Sequence, residues 1–136
     1  MKYDTIQGLE KKISKLILGN DNQTKYDSAA ELWDHWIKVG GNAFDNAHIY
    51  GGGLMEKLLG EWHIKRNNRE SLVIIAKGAH TPNCNPQGVS DQLTESLERL
   101  KIDCADIYIM HRDNIDVPVD EFIDVLNKEK EKGRIK

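Results

Sequence analysis

The run Leu72-Val73-Ile74-Ile75-Ala76-Lys77 contains five apolar residues in succession and ends in a lysine. Almost wholly apolar runs of this length are typical of parallel strands whose two faces are both covered by other elements. Similar short runs occupy residues 42–46 and 105–110, and Leu16-Ile17-Leu18 follows a charged lead-in suited to a small hairpin. The sequence therefore predicts four strands, of which 72–77 is covered on both faces.

Segments with the periodicity of amphipathic helices follow these runs. The first contains Ser28-Ala29-Ala30-Glu31, which matches a capping box, and Gly40-Gly41 ends it. The apolar stripes of the four helices comprise Ala29, Leu32, Trp33, Trp36 and Ile37; Met55, Leu58, Leu59 and Trp62; Leu93, Leu97 and Leu100; and Val119, Phe122, Ile123 and Leu126. This βαβαβαβα order predicts right-handed crossovers and one parallel sheet.

The overall composition describes one ordinary globular domain. The 136 residues carry a formal net charge of −3, with 39% hydrophobic and 30% charged residues. This balance gives no global positive field that would attract nucleic acid or an anionic membrane surface. Two cysteines, Cys84 and Cys104, are too few for a disulfide framework. We therefore expect a cytoplasmic protein with free thiols and with neither nucleic acid nor a membrane as a partner.

Four polar residues lie at or just after the carboxyl ends of predicted strands: Asp45, Tyr50, Lys77 and His111. Alternation of side chains along a strand places Asp45, Lys77 and His111 on one shared face of the sheet. The carboxyl ends of the strands in a βα series are where parallel barrels carry their active sites. The pattern predicts an α/β fold, a parallel (β/α) barrel of TIM type, with these side chains meeting at its mouth.

This set of residues suits the reduction of a carbonyl group. Hydride addition needs a proton for the developing alkoxide, and a free phenol, with a pKa of about 10, is a poor donor near neutral pH. A lysine ammonium beside a phenol lowers that pKa, and a carboxylate keeps the ammonium charged and oriented. In this interpretation Tyr50 donates the proton, Lys77 and Asp45 adjust the acidity of its phenol, and His111 orients the substrate.

Two stretches of the sequence resemble motifs of the aldo-keto reductase family. One is Phe-Asp-Asn-Ala-His-Ile-Tyr-Gly at residues 44–51, continued by Glu56, Leu59 and Gly60. The other is Ser-Leu-Glu-Arg-Leu-Lys-Ile-Asp at 96–103, which leads into residues 106–111. The ending 132–136 resembles the stretch just before the family's fifth strand. The resemblance extends from Leu16 to the last residue.

The resemblance implies an NADPH-dependent oxidoreductase that converts aldehydes and ketones to alcohols on a (β/α)8 barrel. It implies that Asp45, Tyr50, Lys77 and His111 form the catalytic tetrad and that Asp45 also contacts the cofactor. The expected substrate is a small carbonyl compound, and no metal is expected. Asn46, where threonine is commonest, and the unusual loop 78–82 after Lys77 are the departures from the family pattern.

The number of βα units is half of what this fold requires. A (β/α)8 barrel typically takes about 250 residues, and this chain has four predicted units. In the family, loops after the later strands hold the nicotinamide, the pyrophosphate and the 2′-phosphate. We therefore expect residues 1–136 to be the N-terminal half of the barrel, with the C-terminal half absent. The resemblance assigns an enzyme family without assigning activity to this chain on its own.

Two other functions are compatible with the sequence. A non-catalytic half-barrel would self-associate or assemble with another chain, because its outer strands and its inner face (Val73, Ile75, Ile107 and Ile109) would lack partners. A metal-dependent barrel hydrolase would use His48, His80, His111 and Cys84. The second alternative lacks a His-x-His pair on the first strand and a carboxylate at ligand spacing.

Overall fold

The computed structural model describes residues 1–136 and contains a four-stranded parallel sheet beside an antiparallel hairpin. The hairpin pairs β1 (Tyr3–Asp4) with β2 (Ile13–Ser14). The sheet consists of β3 (Leu18–Gly19), β4 (Ala43–Asp45), β5 (Val73–Gly78) and β6 (Ile107–Met110). These four strands lie in chain order and each pairs in parallel with the next. The predicted sheet and the small hairpin before it are confirmed.

Each strand of the sheet is followed by a helix. The helices are α1 (Tyr26–Lys38), α2 (Leu54–Arg66), α3 (Pro86–Leu100) and α4 (Val119–Glu131). The largest buried cluster packs Phe44 and Ile74 of the sheet against helix residues such as Trp33, Trp62 and Leu93. Because Phe44 and Ile74 point away from the face that carries Asp45 and Lys77, the helices cover the opposite face. The fold is α/β, a partial parallel βα barrel of four units.

The first βα unit begins differently from the prediction. Leu16 and Ile17 are exposed and lie outside β3, because the Leu16 carbonyl accepts a hydrogen bond from Ser14 Oγ at 2.7 Å in the turn after the hairpin. Helix α1 begins at Tyr26, so Ser28 lies inside it. The Ser28 hydroxyl donates to the Lys25 carbonyl at 3.2 Å and caps no amide. The predicted capping box is therefore wrong.

Helix α4 turns a different stripe toward the core than the sequence predicts. Phe122 is buried as expected, whereas Val119 and Ile123 are exposed. The buried stripe continues through Val125 to Glu129, whose carboxylate accepts from Ser90 Oγ at 2.8 Å and pairs with Arg134. A buried carboxylate needs such partners. The stripe of α4 that faces the core therefore runs through Phe122, Val125 and Glu129, and Val119 and Ile123 lie outside it.

The hairpin covers the lower part of the inner face of the sheet. Leu9 and Ile13 form a buried cluster with Ala43 and Val73, and Ile107 packs against it. Ile75 is also buried, whereas Ile109, nearer the mouth, is 45% exposed. The expectation that this whole face meets water therefore holds for Ile109 and only in part for Ile107, because the N-terminal segment supplies the missing layer.

The outer strands of the sheet are β3 and β6. Just before β6 in the chain, Ala105 forms a parallel bridge with Ile135. This bridge pairs one residue at the outer edge of the sheet. The rest of β6 has no neighbouring strand on that side. None of the helices is both long and apolar enough to cross a membrane.

Candidate active site

Lys77 occupies the centre of the polar cluster at the mouth of the sheet. Its Nζ lies 2.8 Å from Asp45 Oδ1 and donates a hydrogen bond to Tyr50 Oη at 2.8 Å. The paired strands β4 and β5 bring the two charged residues together, because their carboxyl ends meet at the same edge. A lysine ammonium has only N–H donors. The phenol oxygen is therefore the acceptor in this bond, and the phenolic O–H stays free to donate elsewhere.

The surroundings of Lys77 keep it charged. Burial by itself would lower the pKa of Lys77, but the hydrogen bonds to Asp45 and Tyr50 outweigh it, and the pKa lies above its usual range. The side chain is only 14% exposed. A cation in such a partly dry site acts on a neighbouring group more strongly than it would in water. Lys77 is thus a fixed positive charge beside the phenol of Tyr50.

His111 completes the set on the other side of the phenol. It follows β6, and its amide donates to the Gly78 carbonyl at 2.7 Å. The rings of Tyr50 and His111 meet edge to face with centroids 6.0 Å apart. Burial lowers the pKa of His111, and the nearby His80 and Lys77 lower it further. The imidazole is therefore neutral at physiological pH and keeps one N–H that can donate to a ligand.

The loop that presents Tyr50 is held by backbone bonds and by a tight turn. The amide of Asn46 donates to the Ile75 carbonyl at 3.0 Å, and the amide of His48 donates to the Lys77 carbonyl at 2.8 Å. Tyr50 then opens a 3₁₀ turn that ends at Gly53. The three glycines in this turn all have positive φ angles, which glycine adopts without steric cost. The structure thus brings together Asp45, Tyr50, Lys77 and His111, the four residues that the sequence indicated.

A buried amide pair below the site was missed in the sequence. Asn20 Nδ2 donates to Asn46 Oδ1 at 2.7 Å, and Trp33 Nε1 donates to Asn20 Oδ1 at 3.0 Å. All three side chains are fully buried, so Asn46 supports the floor of the site. The available signal was the position of Asn20 immediately after the first strand, which is equivalent to the position of Asn46 after the second.

His80 is a second residue that sequence reasoning did not assign to the tetrad. Its ring meets that of His111 edge to face, with centroids 4.8 Å apart. His80 belongs to the loop after Lys77, which departs from the family pattern. Its position three residues after a strand-end lysine was the only signal in the sequence.

The residues named for a metal site do not share one location. His80 and His111 are adjacent, whereas His48 Nε2 lies 2.9 Å from Glu95 and Cys84 Sγ donates to the Arg112 carbonyl at 2.9 Å. No three His, Cys, Asp or Glu side chains are grouped so that they could hold a metal ion. The geometry therefore gives the metal-dependent hydrolase no support.

Comparison with known proteins indicates a family for this sequence. The model of the aldo/keto reductase family matches residues 15–136. The aldo-keto reductase str7 of Strobilurus tenacellus is 30% identical over 113 residues, which cover 81% of this chain and 33% of that protein. The aldo-keto reductase yakc of Schizosaccharomyces pombe, whose name specifies NADP(+), is 29% identical over 111 residues, which cover 75% of this chain and 33% of that protein.

Two solved structures of aldo-keto reductases give the same result. The aldo-keto reductase AKR11C1 from Bacillus halodurans, in its holo form, aligns over 99% of this chain and 48% of its own with a TM-score of 0.87 and 26% identity. The thermostable aldo-keto reductase Tm1743, in complex with the inhibitor epalrestat, aligns over 99% of this chain and 52% of its own with a TM-score of 0.84 and 28% identity. The chain thus spans a third to about half of the length of these relatives. It belongs to the aldo/keto reductase family, and its four βα units form a partial barrel of TIM type.

Proposed function

We propose that this chain carries the catalytic half of an oxidoreductase that reduces aldehydes or ketones to alcohols. The observation that supports this most directly is the bridge from Asp45 through Lys77 Nζ to Tyr50 Oη, with both Nζ distances at 2.8 Å. The bridge leaves the phenolic proton unused and beside a fixed positive charge. Carbonyl reduction needs such a proton donor. The proposal is tested by replacing Tyr50 with Phe, which should stop the enzyme from consuming NADPH.

In this proposal each of the four side chains takes a defined part in the reaction. The substrate carbonyl oxygen accepts hydrogen bonds from the Tyr50 hydroxyl and from the N–H of neutral His111. NADPH, when bound, supplies the hydride that reduces the carbonyl carbon. As negative charge develops on the oxygen, Tyr50 gives up its proton, and the ammonium of Lys77 stabilises the phenolate. Asp45 holds that ammonium in place and contacts the cofactor.

We further propose that the remaining contacts to NADPH come from a second half of the barrel. The chain spans a third to about half of its relatives, and the name of one relative specifies NADP(+). Residues 1–136 would then be the N-terminal half of an eight-unit enzyme. The cytoplasm is the proposed location, because Cys84 and Cys104 are both free thiols and reducing compartments keep thiols in that state.

On this proposal, the isolated 136-residue chain binds NADPH poorly and has no measurable reductase activity. The catalytic cluster is present, but Asp45 alone is a weak anchor for a dinucleotide. A fluorescence titration of NADPH against the isolated chain measures this, with the eight-unit enzyme titrated in parallel. Tight binding by the isolated monomeric chain would show that the other half is not needed to hold the cofactor.

A second function, self-association of the half-barrel, is supported by the exposed inner residue Ile109 and by the two outer strands. Unpaired strand edges readily pair with other chains, and burying an isoleucine contributes about 1.5–3 kcal/mol. We expect light scattering to detect dimers or larger species of the isolated chain at high concentration. Ile109→Lys should shift this equilibrium toward the monomer, whereas Ile123→Lys, on the exposed side of α4, should not. A well-folded, strictly monomeric wild-type chain would contradict this function.

A further inference from the structure

Arg99, near the end of α3, contacts the back of the loop that presents Tyr50. Its Nη1 donates to the His48 carbonyl oxygen at 3.2 Å and lies 3.3 Å from Glu56 Oε2 in α2. Its Nη2 donates to Glu95 Oε2 at 2.6 Å. One guanidinium therefore joins two helices to the loop backbone, two residues before Tyr50.

The position of Arg99 is determined by a buried charge. The Glu56 side chain is fully buried. Burial raises the pKa of Glu56, and the contact with the Arg99 guanidinium opposes that rise. A carboxylate in such a place requires a cationic partner, and the guanidinium is only 20% exposed. Arg99 is thus fixed by the interior of the protein rather than left mobile at its surface.

The loop itself is shaped to fit the guanidinium. Gly53 has a φ of +90°, and a Cβ placed there would lie 2.6 Å from Arg99 Cζ. Any larger residue at this position would displace the arginine. On the same side, His48 Nε2 lies 2.9 Å from Glu95 Oε2. His48 is thus held through its amide by Lys77, through its carbonyl by Arg99 and through its ring by Glu95.

We propose that Arg99 is a positioning residue: it fixes the backbone of residues 46–53 so that the Tyr50 phenol stays beside Lys77 Nζ. Arg99 acts through the His48 carbonyl and the space left by Gly53, without itself touching the reacting atoms. The effect on catalysis rests on the proposed function of Tyr50, whereas the restraint on the loop does not.

Amide hydrogen exchange on the 136-residue chain tests the restraint. The loop amides of His48, Tyr50 and Gly52 donate to Lys77, Ala47 and Ile49 carbonyls. Arg99→Met should speed their exchange about tenfold or more, as loss of a hydrogen bond to a charged group predicts, while amides of α1 exchange as before. Arg66→Met is the matched control, because Arg66 makes a similar two-nitrogen contact with Asp34 far from the loop.

A second variant covers the case in which Arg99→Met fails to fold. Arg99→Lys keeps a positive charge for Glu56, but a single ammonium cannot reach Glu56, Glu95 and the His48 carbonyl together. We expect it to keep the fold and still speed exchange in the loop. Unchanged exchange at residues 46–53, or an equal rise throughout the chain, would overturn the proposal.

Kinetics of the eight-unit enzyme separate positioning from simple stabilisation. Arg99→Lys should lower kcat about tenfold or more and leave NADPH binding unchanged. In a Tyr50→Phe background the same substitution should cause no further loss of kcat, because the effects of residues that act through one group are not additive. Independent, additive losses would refute a route through Tyr50. If Tyr50→Phe by itself keeps full activity, the proposed function fails, and the exchange experiment still decides whether Arg99 restrains the loop.

Discussion

Tyr50→Phe in the proposed eight-unit enzyme should remove nearly all carbonyl reduction while NADPH binding survives. The substitution removes one oxygen, and with it the phenolic proton that the bond from Lys77 leaves free. Loss of a positioned general acid costs about 10²–10⁴-fold in rate. The cofactor is not held by this hydroxyl in the proposed mechanism, so its dissociation constant should be unchanged. The decay of NADPH absorbance measures turnover, and a fluorescence titration measures binding.

Tyr26→Phe is the matched control for this experiment. The Tyr26 hydroxyl is buried at the start of α1 without a hydrogen-bond partner, and its ring lies beside Lys65 of α2. Its removal should leave turnover close to that of the wild type. Near-wild-type turnover in Tyr50→Phe would instead show that the proton comes from another group, and the assignment of the tetrad would then be wrong.

Lys77→Met should have an effect of similar size by a different route. The variant keeps the length of the side chain and the phenol, but it removes the ammonium 2.8 Å from Tyr50 Oη. Loss of one group that stabilises developing negative charge costs about 10²–10³-fold in kcat. Asp45 is one-third exposed, so water can solvate its carboxylate and the fold should survive. Rapid-mixing or steady-state kinetics with saturating NADPH give the comparison.

A lysine elsewhere provides the control for Lys77. Lys65 Nζ lies 4.1 Å from the centre of the Tyr26 ring and pairs with Glu61 on the surface. Lys65→Met therefore removes a lysine beside a tyrosine without touching the site, and turnover should be unchanged. A Lys77→Met enzyme as active as the Lys65→Met enzyme would contradict the role given to the ammonium.

Much of the fold follows from apolar patterns in the sequence. The run ending at Lys77 predicts β5, and the stripes of Met55 to Trp62 and Leu93 to Leu100 predict the buried faces of α2 and α3, which are confirmed. Such patterns succeed where one face of an element is wholly buried. They fail in part for α4, where the buried stripe runs through Phe122 and Val125 to the carboxylate of Glu129, a charged residue that an apolar pattern does not include.

The residues that make up the candidate site could be predicted from the sequence for a related reason. Strand alternation and the shared carboxyl edge of parallel strands are properties of the local sequence, so Asp45, Lys77 and His111 could be placed near one another in advance. The amide contact of Asn20 and the loop contact of Arg99 could not be found in this way. Their partners, the Asn46 amide and the His48 carbonyl, lie 26 and 51 positions away.

The sequence by itself thus determined the order of the strands and helices, the family and the four side chains at the mouth of the sheet, because these depend on local periodicity and on short motifs. Only the tertiary structure decided how the hairpin covers Val73 and that Arg99 reaches the loop behind Tyr50. Those features depend on distances between segments far apart in the chain. They are set by packing and by the need of buried charges such as Glu56 for partners, which no local pattern records.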